Sequence, residues 1–92
     1  MPTASPRPDP PVASSDPAVL TSQMVSAERA IRDPGITGAE LAWFGHLQQL
    51  TYRKLAANPD LRDAVLAAVP ADLKAAATAN ADATADLRAT VV

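Results

Sequence analysis

Residues 37–57 read TGAELAWFGHLQQLTYRKLAA, and how this stretch is read decides the fold. Thr37 followed three residues later by Glu40 is a capping-box pattern. The Thr hydroxyl accepts from the Glu amide, and the Glu carboxylate reaches back to the Thr amide. A helix that starts there meets no proline until Asn58-Pro59. On a wheel at about 100° per residue, Leu41, Trp43, Phe44, Leu47, Leu50, Tyr52 and Leu55 spread over a little more than half the circumference. Ala42, Gly45, His46, Gln49, Arg53 and Ala56 take the rest. So wide an apolar arc predicts a central helix that touches more than one neighbour.

The flanking sequence predicts three more helices. Asp16-Pro17 is a cap followed by a proline at the first helical position, where its missing N–H costs nothing. Leu20, Met24, Ala27 and Ile31 then recur on one helical face. Glu28 and Arg32, at i and i+4, are expected to pair on the outer side. Asp33-Pro34-Gly35 ends this helix near residue 32. Asn58-Pro59-Asp60 is a cap signal of the same kind as Asp16-Pro17. It opens a short helix to about Ala68, with Leu61, Val65 and Val69 on one face. Val69 precedes Pro70 and so marks a joint. The last helix is expected over about 71–90, with Leu73, Ala77, Asn80, Thr84, Leu87 and Val91 as its stripe. Short connections favour antiparallel neighbours. Together these signals predict an all-α chain: a small antiparallel bundle of about four helices (17–32, 38–57, 59–68 and 71–90) in a domain spanning 16–92.

Residues 1–15, MPTASPRPDPPVASS, hold five of the nine prolines. With few amide donors and little apolar surface, this segment is expected to be a disordered, extended tail or linker with polyproline II character. PRPDPP has no paired PxxP register with flanking hydrophobics, so the linker reading is preferred to an SH3-type ligand.

Composition narrows the function classes. The apolar fraction is 48%, but 21 of the residues are Ala, which favours helix and buries little surface. The last helix, with an Ala-rich stripe, is expected to be the least firmly held. There is no cysteine, which excludes disulfides and thiolate metal sites. The net charge is −2 with the charges interspersed, and nucleic-acid binding needs a basic footprint. No apolar run approaches the roughly 20 residues of a membrane span, so no membrane insertion is expected.

The aromatics and the only His all fall within residues 43–52. His46 sits on the polar side, with no carboxylate at i±3 or i±4 to orient it, and reads as a surface residue. No Gly-rich phosphate loop, GxSxG turn or HExxH helix is present. We therefore expect no catalytic residue, cofactor or metal. Gln48 stands out because it falls inside the apolar arc. Asn80 does the same on the last helix. Either these amides satisfy buried groups between helices and fix register, or one or both face solvent. Tyr52 keeps a hydroxyl able to reach the boundary of the core. Gln48, Asn80 and Tyr52 are the candidate polar or interaction residues.

AERAIRDP (27–34), HLQQLTYRKLA (46–56) with the Asn-Pro break after it, VLAAVP (65–70) and TANADATADLRA (78–89) occur in that order. Together they resemble the helical region found ahead of the catalytic domain in actinobacterial lytic transglycosylases. The resemblance implies a secreted or cell-envelope protein concerned with peptidoglycan. Its single catalytic Glu would lie in a lysozyme-like domain that follows the helical region. Neither Glu28 nor Glu40 sits in that context, so no catalytic role transfers. The expectation is a non-catalytic accessory module, a truncated family member, whose partner is a lysozyme-like domain. A cytoplasmic location is expected instead if the chain starts at Met1 without an export signal. The alternative is a stand-alone module that binds another protein helix.

Overall fold

The computed structural model describes residues 9–90, with side chains described as far as residue 87. Among the described residues there are four helices and no strand: α1 (Pro17–Ile31), α2 (Gly38–Ala57), α3 (Pro59–Ala68) and α4 (Ala71–Thr90). They form the expected small antiparallel bundle. α2 packs most extensively against α1 and next against α4, so it is the central helix.

Local chemistry sets the helix ends. The Asp16 carboxylate accepts from the amides of Ala18 (2.9 Å) and Val19 (3.3 Å), and Pro17 opens α1. The capping box is complete. Thr37 Oγ1 accepts from the Glu40 amide at 3.2 Å, and the Thr37 amide donates to Glu40 Oε1 at 3.2 Å. Asn58 behaves differently from the expected second cap. Its side chain makes no capping bond to α3; its Nδ2 donates back to the Lys54 carbonyl at 3.0 Å. With only Asn58 between α2 and α3, the amide side chain serves the orphan carbonyls of the helix it ends. Pro59 leaves the next helix one amide fewer to satisfy.

The core draws on all four helices: Leu20 and Met24 from α1, Tyr52 and Leu55 from α2, Val65 from α3, Val69 at the joint, and Leu73, Ala77 and Ala81 from α4. Two expectations need correcting. On α2 the arc does not turn inward as a whole. Leu47, Thr51, Tyr52 and Leu55 are buried, whereas Trp43, Phe44 and Leu50 are half-buried and Leu41 is 46% exposed. On α4 the buried line is Leu73-Ala77-Ala81, at spacings of four. Asn80 and Thr84 flank it, and Leu87 is 67% exposed. Val91, the last member of the expected stripe, lies outside the described residues.

Exposed ion pairs tie α4 to its neighbours. Arg29 of α1 meets Asp72 at 3.1 Å, and Arg62 of α3 meets Asp82. Such pairs contribute at most about 1 kcal/mol each, so α4 is held chiefly by Leu73 and the close approach its alanines permit. Residues 9–15 of the expected disordered tail lie outside the helices but are held against them; residues 1–8 of that tail lie outside the described residues. The sequence foresaw no contacts for this segment, yet Pro11 is buried and Ala13 packs against the core.

These burials separate two leucines that the sequence treats alike. Leu55→Ala is expected to cost about 2–5 kcal/mol. Leu87→Ala is expected to stay within about 0.5 kcal/mol. Urea denaturation followed by circular dichroism measures both.

Candidate functional site

The three polar residues singled out by sequence come together at one junction of α1, α2 and α4, around a group that the sequence reading placed outside. Glu28 is not on the outer face of α1. It is 1% exposed, and only its partner Arg32 reaches solvent. A buried carboxylate must be paired and hydrogen-bonded to persist as an ion. Arg32 Nη1 donates to Glu28 Oε2 at 2.7 Å and to the Glu28 carbonyl at 2.8 Å. Gln48 Nε2 of α2 donates to the other carboxylate oxygen, Oε1. Each oxygen therefore has its own donor, one from the same helix and one from across the interface. The sequence carried a signal for this burial: Glu28 lies four residues after Met24 and eight after Leu20, both buried, along one side of the helix.

Gln48 thus has the interhelical partner expected of one of its two readings. Its own carbonyl accepts from Thr51 Oγ1 at 2.8 Å, and Thr51 is fully buried. The sequence reading did not single out Thr51, since a Thr that bonds within its own helix shows no periodic signal. Tyr52 is 3% exposed. Among the described residues its hydroxyl is a buried oxygen with no hydrogen bond of regular geometry, although Asn80 and Glu28 act on it. Burial pushes the phenol up to about 12; the Asn80 amide opposes the rise and the Glu28 carboxylate adds to it. Asn80 is half-buried on α4. His46 is exposed, as expected.

Beside the cluster, Gln48, Gln49 and Tyr52 of α2 face Asn80, Ala83, Thr84 and Leu87 of α4 across an open groove of about 190 Å³. That is below the roughly 300–1,000 Å³ usual for small-molecule sites. The chemistry available here is limited. The phenol stays protonated at neutral pH, and the carboxylate is engaged on both oxygens. Among the described residues no three His, Cys, Asp or Glu side chains gather in a way that would hold a metal ion, and no helix is long and apolar enough to cross a membrane.

Comparison with protein-family models, with curated proteins and with solved structures returned no match.

Two measurements check this geometry. Gln48→Leu leaves Glu28 Oε1 without its donor and is expected to cost about 1–3 kcal/mol, whereas a Gln48 that faced solvent would be replaced at no cost. Tyr52 has a second signature. Its folded pKa lies above the unfolded value near 10, so the folded state holds the phenolic proton longer. The stabilisation is complete below about pH 10 and is lost as pH rises through about 12. Tyr52→Phe is expected to flatten the fall in stability over that window, seen in urea midpoints at successive pH values.

Proposed function

We propose that the chain is a non-catalytic helical accessory module, and that the resemblance of its sequence to the helical region of lytic transglycosylases points to a lysozyme-like, peptidoglycan-cleaving domain as its partner. The observation that supports the non-catalytic reading is the engagement of both glutamates. Glycoside cleavage of the lytic transglycosylase kind uses a single Glu whose carboxyl group reaches the glycosidic oxygen. Glu28 is 1% exposed and held by Arg32 and Gln48. Glu40 is committed to the capping box, accepting from both the amide and the hydroxyl of Thr37. Each has a structural task, and they are the only glutamates in the chain.

A second reading, a stand-alone module that binds another protein helix, is favoured by the α4 surface. Leu87 is 67% exposed beside Ala83 and Thr84 on the same groove. Small residues with one large apolar side chain suit the approach of another helix.

Incubation of the purified chain with insoluble peptidoglycan tests the first reading. No soluble sugar fragments are expected, and their enzymatic release would overturn the non-catalytic assignment. Light-scattering mass during size exclusion separates the two readings. A mass independent of concentration is expected of the accessory module; a mass that rises with concentration moves the conclusion to a self-associating helical protein.

A further inference from the structure

The Pro-rich segment ahead of α1 is held by contacts that recognise its backbone. Pro10 and Pro11 have no N–H, so this stretch offers chiefly carbonyls and ring surface for recognition. α1 and α2, the most extensively packed pair of helices, each supply a donor. Trp43 Nε1 of α2 donates to the Asp9 carbonyl at 2.8 Å. Gln23 Nε2 of α1 donates to the Val12 carbonyl at 2.8 Å. The two carbonyls are three residues apart, the length of one polyproline II turn, a spacing that puts both on the same side of a chain in that conformation. Gln23 also accepts from the Ser14 amide at 2.8 Å, so a single side-chain amide holds a backbone donor and a backbone acceptor and sets the register. Between the two donors Pro11 is buried, while the Val12 side chain points away and is 74% exposed. Phe44 meets the Trp43 ring edge to face, with centroids 5.0 Å apart and planes at 83°, an arrangement favoured by the ring quadrupoles.

We propose that the face of α1 and α2 around Gln23 and Trp43 is a binding site for an extended Pro-rich peptide, occupied in this chain by its own residues 9–15. The groups that select the segment are backbone carbonyls, one backbone amide and the ring of Pro11. A peptide of the same pattern, DPPVASS, meets the same partners when another chain supplies it. Donors aimed at carbonyls beside aromatic surface are the general chemistry of polyproline recognition. The resident segment has the advantage of its covalent link, an effective concentration on the order of millimolar for a short connection. It therefore acts as the standing competitor that an incoming peptide must displace.

Trp43 is the only tryptophan, so its fluorescence reports on the site directly. In the full chain, Pro11→Asp puts a charge where the ring is buried and lies outside all four helices. The emission is expected to move to the red and acrylamide to quench it more strongly, with helical circular dichroism unchanged. Adding a synthetic peptide of residues 9–15 reverses both changes saturably, whereas the same peptide carrying Pro11→Asp does not. A second full-length variant, Gln23→Ala, keeps α1 helical and removes both amide contacts. It is expected to show the red shift and to answer far more weakly to the peptide. Emission unchanged in either variant overturns the proposal, and so does a Pro11→Asp chain that fails to respond to millimolar peptide.

Discussion

A carboxylate placed inside the contact between two helices must have a hydrogen-bond donor for each oxygen or it disrupts that contact. Glu28 is such a group, and much of the bundle follows from how it is satisfied. Arg32, one turn further along α1, takes one oxygen and leaves its far end in solvent. Gln48 takes the other from α2. The second bond fixes how α2 is turned and how far it can slide along α1. With Gln48 directed at Glu28, the side of α2 carrying Leu47, Thr51, Tyr52 and Leu55 faces the interior. Leu41 is then carried outward, and Trp43 and Phe44 come to the edge. There the indole receives the Pro-rich segment ahead of α1.

What the sequence made legible was local. Thr37-Gly38-Ala39-Glu40, Asp16-Pro17 and the proline breaks act over one to four residues, and the helix ends fall where those signals put them. The wheel of α2 also identified Gln48 as a polar residue among apolar ones. It did not say which part of a wide arc faces inward, because that depends on the neighbours and on a partner in another helix. Glu28 escaped notice for a related reason. An Arg four residues away supplied a sufficient surface explanation, although Met24 and Leu20 on the same side argued for burial. On α4 the expected stripe and the buried line share Leu73 and Ala77 and part only after them, one running to Ala81 and the other to Asn80, Thr84 and Leu87. With alanines on every side of that fork, no large apolar side chain marks Ala81 as the inward position. Asn58 had two helix ends within reach and serves the one behind it.

The functional proposals divide the surface. On these proposals the interior junction of Glu28, Gln48, Tyr52 and Asn80 has a structural task, and among the described residues Glu28 is the one carboxylate it withholds from solvent. The α4 end and the α1–α2 face are the two places where, on these proposals, other chains would meet this one. On the first, Leu87 and its small neighbours are open. On the second, the Pro-rich segment is already seated, with its backbone held by Gln23 and Trp43.

The claim that the Glu28–Gln48 contact organises the bundle is tested most directly by a double-mutant cycle in urea, using Glu28→Leu, Gln48→Leu and the pair together. Because each single change leaves a polar group, buried Glu28 or half-buried Gln48, without its cross-helix partner, the double variant is expected to be more stable than the sum of the singles implies. The expected coupling is about 1–3 kcal/mol. Additivity within about 0.5 kcal/mol would contradict the account, showing that the two side chains are near one another without depending on one another.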